Sequence, residues 1–381
     1  MKIIIEKVKR KKIRMRSVVK ISWLFLLLFS AIVLSGCGSG EAIVKKKVTN
    51  VKQVAITVDD LPFAITNEFV SFELQKEMFN RFLDVLSEKK AVVAGFLIGS
   101  HYTPEWEPEL IRWIKEGNIL ANHTYSHLNS NEVSGEEYVK DIMKCDSVLH
   151  VIFEKAKREL NIPFTSDELV EMSEKTSLPQ LIYPGLNVED STKVKKILIA
   201  PKEEIKKVLK PKYNLSYKYF RFPYLNRGNT AAKKYIISTA LEKANYKIAP
   251  VTITSNDWRF NPRFEVAYFN KDEEEMENIQ KEYLKRIARE TYNSENYAIQ
   301  TFHREVKQIL LFHLNILNAM TIGKIIDWYR ENGWEIVDLD TVLKDEVYEM
   351  EDTYNGEYGI PWLFRAKRIR RATENPIAWG N

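Results

Sequence analysis

The sequence predicts an α/β fold built on a mainly parallel sheet or barrel, and two observations predict it. Short, nearly continuous apolar runs of strand length recur along the chain, and stretches with helical spacing lie between them. Val54–Val58 is the first run, followed by a helical stretch over Leu74–Ser87. Ala91–Ile98 is a second buried-strand candidate, Glu107–Lys115 behind it has helical spacing, and Ile119–Asn122 is a third strand candidate. Tyr219–Phe222, Lys247–Ile253, Ile309–Phe312 and Glu335–Leu339 continue the series. Thr230–Ala244 and Thr321–Asn332 read as helices, the second stopped by Gly333, a residue suited to a helix C-terminus.

Two stretches break the rhythm and are expected to be surface insertions between core strands. The first, about 135–217, opens with a long helix from Gly135 through Glu159. It then turns lysine- and glutamate-rich, with Pro163, Pro179, Pro184, Pro201 and Pro211 as breaks. The second, about 260–302, holds the acidic run Asp272 to Glu275 and another helical pattern. The folded domain is expected to span 51–345, both insertions included. A tail at 346–381 mixes acidic, aromatic and then basic residues, and no role is assigned to it.

With 381 residues and 45% hydrophobic content, the chain can build one large core or two small ones. Its 29% charged content and abundant Tyr, Phe and Trp are not a disordered composition. Residues 1–20 hold nine basic side chains against one acidic, and residues 21–36 hold no charge. Removing that +8 from the formal +5 leaves a chain starting at Cys37 near −3, which gives no electrostatic case for nucleic acid.

Residues 1–36 read as an export signal: a basic head, an apolar run from Ile21 to Leu34, and Leu34-Ser35-Gly36-Cys37 at its end. The run is shorter than the roughly 20 apolar residues a spanning helix needs. The tetrad resembles the lipobox of bacterial lipoproteins. That resemblance implies that the Cys37 thiol takes a diacylglycerol and tethers the protein to the outer face of a membrane. The competing reading is an uncleaved signal anchor. Residues 37–50, small and polar and then lysine-rich, read as a tether. Cys145 is then the one cysteine left, so no intrachain disulfide forms, and its helical surroundings predict a buried apolar role.

Five short segments carry the chemistry: Thr57-Val58-Asp59-Asp60, His123-Thr124-Tyr125-Ser126-His127, Arg221-Phe222-Pro223-Tyr224, Asp257-Trp258 and Leu311-Phe312-His313. If a helical turn starts at His123, His123 and His127 lie on one face and can share a metal ion. A third ligand would complete a facial set, and Asp60 is the best candidate because α/β sites are built at strand C-termini. Alone, such a histidine pair is more often two surface residues on a helix. Asp59 and Asp60 point to opposite faces on an extended strand, but a turn at the strand end lets both reach one site. One carboxylate can then bind the metal while the other takes a proton from water.

The set resembles the polysaccharide deacetylase family, also called the NodB-homology domain or carbohydrate esterase family 4, from about Val54 to Leu343 with the two insertions outside the resemblance. The resemblance implies a distorted (β/α) barrel with two sizeable surface insertions, and makes 51–345 a deacetylase-like catalytic domain. It implies a divalent metal, most often zinc with cobalt, nickel or manganese as alternatives, held by Asp60, His123 and His127. It implies that Asp59 is the general base, that Arg221 orients it, and that the backbone N–H of Tyr224, after Pro223, faces the oxyanion. It implies that Asp257 tunes His313 as the general acid, while Trp258 and Leu311 wall the acetyl pocket. Two positions depart from the family pattern: Leu61 stands where the motif has glycine, and Thr254 where it has aspartate. Leucine does not enter positive φ cheaply, so the loop after Asp60 is expected to run differently. His101, His150 and His303 have no partner in this scheme and are expected to be structural.

The expected function is removal of acetyl groups from N-acetylated glycans by an exported, lipid-anchored enzyme. The alternatives are an esterase acting on O-acetyl groups of xylan-like polymers and a non-catalytic glycan-binding lipoprotein on a decayed scaffold. The expected partners are an acetylated glycan and, through Cys37, a membrane.

Overall fold

In chain order the elements are β1 (Lys52–Leu61), α1 (Phe72–Glu88), β2 (Ala94–Leu97), α2 (Glu107–Lys115), β3 (Ile119–Asn122), α3 (Gly135–Glu159), β4 (Tyr219–Phe220) and α4 (Ala231–Lys243). They continue with β5 (Lys247–Ile248), β6 (Ile253–Thr254), α5 (Asn261–Phe269), α6 (Glu273–Phe302), β7 (Gln308–His313), α7 (Ile316–Glu331), β8 (Trp334–Ile336) and α8 (Leu339–Leu343). They come from a computed structural model that describes residues 51–65, 67–160, 217–352 and 354–366. The signal at 1–36, Cys37, the tether at 37–50, residues 161–216 of the first insertion and the tail from 367 lie outside the described residues. No helix among the described residues is long and apolar enough to cross a membrane.

The strands form one sheet in the order β5-β4-β3-β2-β1-β7-β6, and β8 pairs with the start of β1. Every pairing is parallel. The order alone requires the sheet to curl. Seven strands laid flat at about 4.8 Å spacing would hold the edge strands about 29 Å apart. Yet β5 and β6 are joined by only Ala249–Thr252, and a five-residue step spans at most about 18 Å. The fold is therefore an α/β half-barrel of the distorted (β/α) kind, left open between β5 and β6. The run expected as one strand over Lys247–Ile253 is in fact this edge-to-edge crossing. Ala249 N donates to Phe220 O on one side, and Thr252 N donates to Ile309 O on the other.

β1 is the central strand, and Val54, Ile56 and Val58 are fully buried. Burial on both faces is what helices outside a parallel sheet produce, and it explains the unbroken apolar run. Ser71 caps α1, and Met78, Phe79, Phe82, Leu83 and Leu86 turn its inner face to the core. The Phe82 ring stacks on Trp113 of α2 at 6.1 Å and meets Phe312 of β7 edge-on. Cys145 is buried on α3, and burial pushes its thiol pKa up, so it behaves as a small apolar residue.

Residues 260–302, expected to lie on the surface, form the crossover from β6 to β7. Phe264 of α5 and Ile279, Tyr283 and Ile287 of α6 are fully buried in the main core. Their apolar spacing was visible in the sequence, but the acidic run at the helix start hid it. Asp272 is that helix's N-cap, and Glu273, Glu274 and Glu275 complement its positive end.

Leu61 does not divert the chain as expected. The left-handed residue is Asp60, at φ 60°, and Leu61 stays in β1 with its side chain fully buried. Gly95 of β2 makes the room. A Cβ there would lie 2.2 Å from Leu61 Cδ1 and 2.6 Å from the Trp113 ring.

Candidate metal centre and catalytic site

Parallel register brings the five segments to one rim of the sheet. Asp59 pairs with His313, Thr57 and Thr254 both pair with Leu311, and Asn122 pairs with Phe220. Each candidate thus ends or follows a strand, where loops can aim side chains over the carboxyl edge. Alternate residues of a strand share a face, so Thr57 and Asp59 point one way, as do Leu311 and His313.

His123 and His127 do not sit on a helical turn. Thr124 and His127 are both left-handed, at φ 65° and 55°, and a loop carries the two rings to centroids 5.0 Å apart. Two acceptors hold that loop. Asn122 Oδ1 accepts from Thr124 N at 2.9 Å, and Asp141 Oδ2 of α3 accepts from Tyr125 N and Ser126 N at 3.0 and 2.9 Å. Sequence reasoning passed over Asp141, since an aspartate inside a long helical pattern carries no local signal.

Asp60 Oδ1 lies 3.3 Å from Nε2 of His123 and 3.3 Å from Nε2 of His127. The three residues offer ligand atoms within 4.8 Å of one another. Burial raises the Asp60 carboxyl, but the imidazoles of His123, His127 and His313 reverse this and hold it well below the usual carboxylate range. The donor set fits a divalent cation. His123 Nδ1 is 2.8 Å from the Arg221 carbonyl oxygen, which can only accept, so Nδ1 carries the proton. In the neutral ring Nε2 then presents a lone pair to Asp60 Oδ1, itself buried and without a hydrogen bond. Lone pairs facing one another across a buried gap call for a cation between them.

Asp59 is 3% exposed and faces Arg221, which is 1% exposed. Arg221 Nη1 donates to Oδ1 and Oδ2 of Asp59 at 3.1 and 3.3 Å, and Nη2 donates to Thr57 Oγ1 at 3.1 Å. Nε donates to Ala249 O, and the guanidinium stacks 4.5 Å from the Phe96 ring. Desolvation lowers the arginine's pKa, opposed by Asp59. A guanidinium fixed on three sides holds the carboxylate in one orientation.

His313 completes the rim. Its Nδ1 is 3.0 Å from Asp257 Oδ1, and its Nε2 is 3.9 Å from Asp60 Oδ2. Burial pushes the imidazolium down, and the carboxylates of Asp257, Asp60 and Asp59 more than offset it, leaving a pKa of about 10. Asp257 Oδ2 accepts from His313 N at 3.0 Å and from the Asn315 and Asn318 amides at 2.9 Å. Burial raises Asp257 as well, but His313 and these donors leave it below its usual value. Asn315 and Asn318 went unread, although Asn315 caps α7 and so had a local signal.

The remaining candidates sit around this group. Pro223 opens a tight turn, Pro223–Leu225, in which Tyr224 is left-handed. The Tyr224 ring is 59% exposed and lies 4.6 Å from that of His127. Trp258 is 56% exposed, with the Arg259 guanidinium 4.8 Å over its ring. Leu311 is buried in β7, and Thr254 ends β6 three residues before Asp257. His101 ends the short turn Gly99–His101 after β2. Burial lowers its pKa, and Asp60, His127 and His123 are among its neighbours, so it stands near the rim.

A curled parallel sheet with these groups on its carboxyl rim defines the NodB-homology class of (β/α) barrel. Residues 46–178, about a third of the chain, match the family model for polysaccharide deacetylase. The match contains Asp59, Asp60, His123 and His127, while Arg221, Asp257 and His313 lie beyond it. Among curated proteins, the chain is 29% identical over 116 residues to a peptidoglycan-N-acetylglucosamine deacetylase of Bacillus cereus, a stretch covering 30% of this chain and 37% of that one. It is 33% identical over 105 residues to a peptidoglycan-N-acetylmuramic acid deacetylase of Bacillus subtilis, covering 27% of this chain and 19% of that one. The matched stretches thus span well under half of either relative. Among solved structures, a carbohydrate esterase family 4 pseudoenzyme from Bacillus anthracis is 14% identical over 77% of this chain and 66% of its own, with a TM-score of 0.41.

Proposed function

We propose that this protein is a metal-dependent hydrolase that removes acetyl groups from N-acetylated glycans in or outside the cell envelope. One observation carries the reading. Asp60, His123 and His127 converge on a common point while Asp59, beside them, is held by a buried arginine instead. A divalent cation held by Asp60, His123 and His127, zinc before cobalt, nickel or manganese, would polarise an acyl oxygen and lower the pKa of a water.

The chain's own groups account for the proton traffic. Asp59, held in one orientation by Arg221, takes a proton from the water that attacks the acetyl carbon. The Tyr224 backbone N–H donates to the acyl oxygen as negative charge grows on it. His313 gives its Nε2 proton to the departing nitrogen while Asp257 retains the Nδ1 proton. Acetic acid and a free amine leave, the acid gives its proton to solvent to become acetate, and exchange with solvent returns one proton to His313 and removes one from Asp59. Trp258 and Leu311 wall the methyl pocket in this scheme, and Pro223 fixes the turn that carries Tyr224.

An acetate-release screen tests the reading. N-acetylglucosamine oligomers, peptidoglycan fragments and acetylated xylan are each incubated with the protein, with chelator, and with zinc added back. Release from the N-acetylated substrates is expected, lost with chelator and recovered with zinc. Release from xylan alone would make the protein an esterase. Glycan binding without acetate in any zinc-loaded reaction would make it a binding protein and end the deacetylase reading.

The basic head, the apolar run and Cys37 support an exported protein tethered through lipid to the outer face of a membrane. Labelled palmitate is expected to enter the native protein and not Cys37→Ser. Equal labelling of the two would remove the anchor from the proposal.

A further inference from the structure

The tail that the sequence left without a role runs along the back of the Tyr224 turn. Trp362 anchors it: its backbone N–H donates to Val251 O at 2.6 Å and its indole N–H to Val347 O at 2.7 Å. Trp362, Leu363 and Ala366 are buried with Ala298 of α6, and Phe364 packs on Tyr297 with centroids 4.4 Å apart. Asp352 gathers three cations, Arg365 Nη1 at 2.8 Å and Arg227 Nη1 and Lys234 Nζ at 3.1 Å. Arg227 also lies over the Phe222 and Trp362 rings, at 5.3 and 5.0 Å.

Two contacts reach the turn itself. Gly359 presses against it so closely that a Cβ would lie 1.9 Å from the Tyr224 carbonyl oxygen and 2.8 Å from the Leu225 carbonyl carbon. Arg365 Nη2 donates to Leu225 O at 2.9 Å while its Nε donates to Ile360 O at 3.3 Å. The turn needs such support. Tyr224 and Leu225 are both left-handed, at φ 56° and 57°, and neither is glycine. Consecutive side-chain-bearing residues in that region persist only where their surroundings over-determine them.

We propose that residues 354–365, tied through Arg365 to Asp352, are a positioning strap for catalysis: Gly359 abuts the Tyr224 carbonyl and Arg365 ties down that of Leu225, and together they fix the left-handed turn that presents the Tyr224 N–H. This rests on the oxyanion role given above to that N–H. The strap is a second support behind a strained loop. It acts through Tyr224, and among the described residues its hydrogen bonds and ion pairs do not go to Asp59, Asp60, His123 or His127.

The test compares the native full-length, zinc-loaded protein with Gly359→Ala and Arg365→Lys. The lysine keeps one charge beside Asp352 but cannot bridge Asp352, Leu225 O and Ile360 O at once. For both variants kcat on an N-acetylglucosamine oligomer is expected to fall about 10- to 100-fold, the scale of a small misplacement of a catalytic group. KM and zinc stoichiometry are expected to stay at native values, and amide exchange is expected to quicken in peptides covering 221–226. Native exchange in that segment in both folded variants overturns the proposal. So does a native kcat per folded molecule, with melting curves giving the folded fraction. If the native protein releases no acetate from any glycan, the deacetylase reading fails, and the strap then stands or falls on exchange alone.

Discussion

Asp59→Asn is expected to release acetate about 10³-fold more slowly than the native protein, the middle of the range for a positioned general base, while still binding its metal. The amide keeps the shape of the carboxylate and one acceptor oxygen for Arg221, but it cannot take a proton from water. The same change has a structural consequence that must be read separately. Arg221 is 1% exposed, and its remaining partners, Thr57 Oγ1 and Ala249 O, are neutral. A buried guanidinium stripped of its counter-ion costs about 3–5 kcal/mol, so a lower melting temperature is expected alongside the rate loss. Scaling acetate release to the folded fraction and measuring bound zinc separates the two effects. A folded, zinc-loaded Asp59→Asn protein with native kcat would remove Asp59 from the role of base and leave Arg221–Asp59 as an internal ion pair.

The difference between what the sequence disclosed and what it hid follows from how local each signal is. β1 was legible because burial on both faces leaves an unbroken apolar run, and Asp59 and Asp60 were legible because they end it. The α/β class followed from alternation alone. Closure did not: the crossing from β5 to β6 looks like one apolar strand, and only the pairing partners reveal that its ends belong to opposite edges. The histidine pair was read with the right residues on the wrong backbone. Spacing of four suggested a helix, whereas Asn122 and Asp141 fold those residues into a loop with two left-handed positions. Leu61 was read as a disturbance because its compensation, the missing Cβ of Gly95, is 34 positions away and on another strand. Chemistry within one short segment could be read in order, but support from a distant helix, strand or tail could not.

Asp60→Asn and His123→Ala are expected to lose the metal before anything else. Asp60 supplies the one formal negative charge among the three ligands, and burial makes that charge matter more than it would in water. Replacing a supporting hydrogen-bond partner of a ligand already costs about 10–100-fold in affinity, so removing a ligand is expected to cost more than about 10²-fold. After dialysis against a weak chelator, bound zinc is expected to fall from one per chain in the native protein to near zero in either variant. Acetate release should fall in step with it. The two variants then part in a way that tests the site's internal logic. His123 is held through Nδ1 by the Arg221 carbonyl, so His123→Ala leaves that carbonyl, in the buried strand end, without its donor. Asp60→Asn leaves the same hydrogen bond intact. His123→Ala should therefore melt at a lower temperature than Asp60→Asn even though both are metal-free. Stoichiometric zinc retained by Asp60→Asn through dialysis would place the cation elsewhere, and the convergence of Asp60, His123 and His127 would then need another explanation.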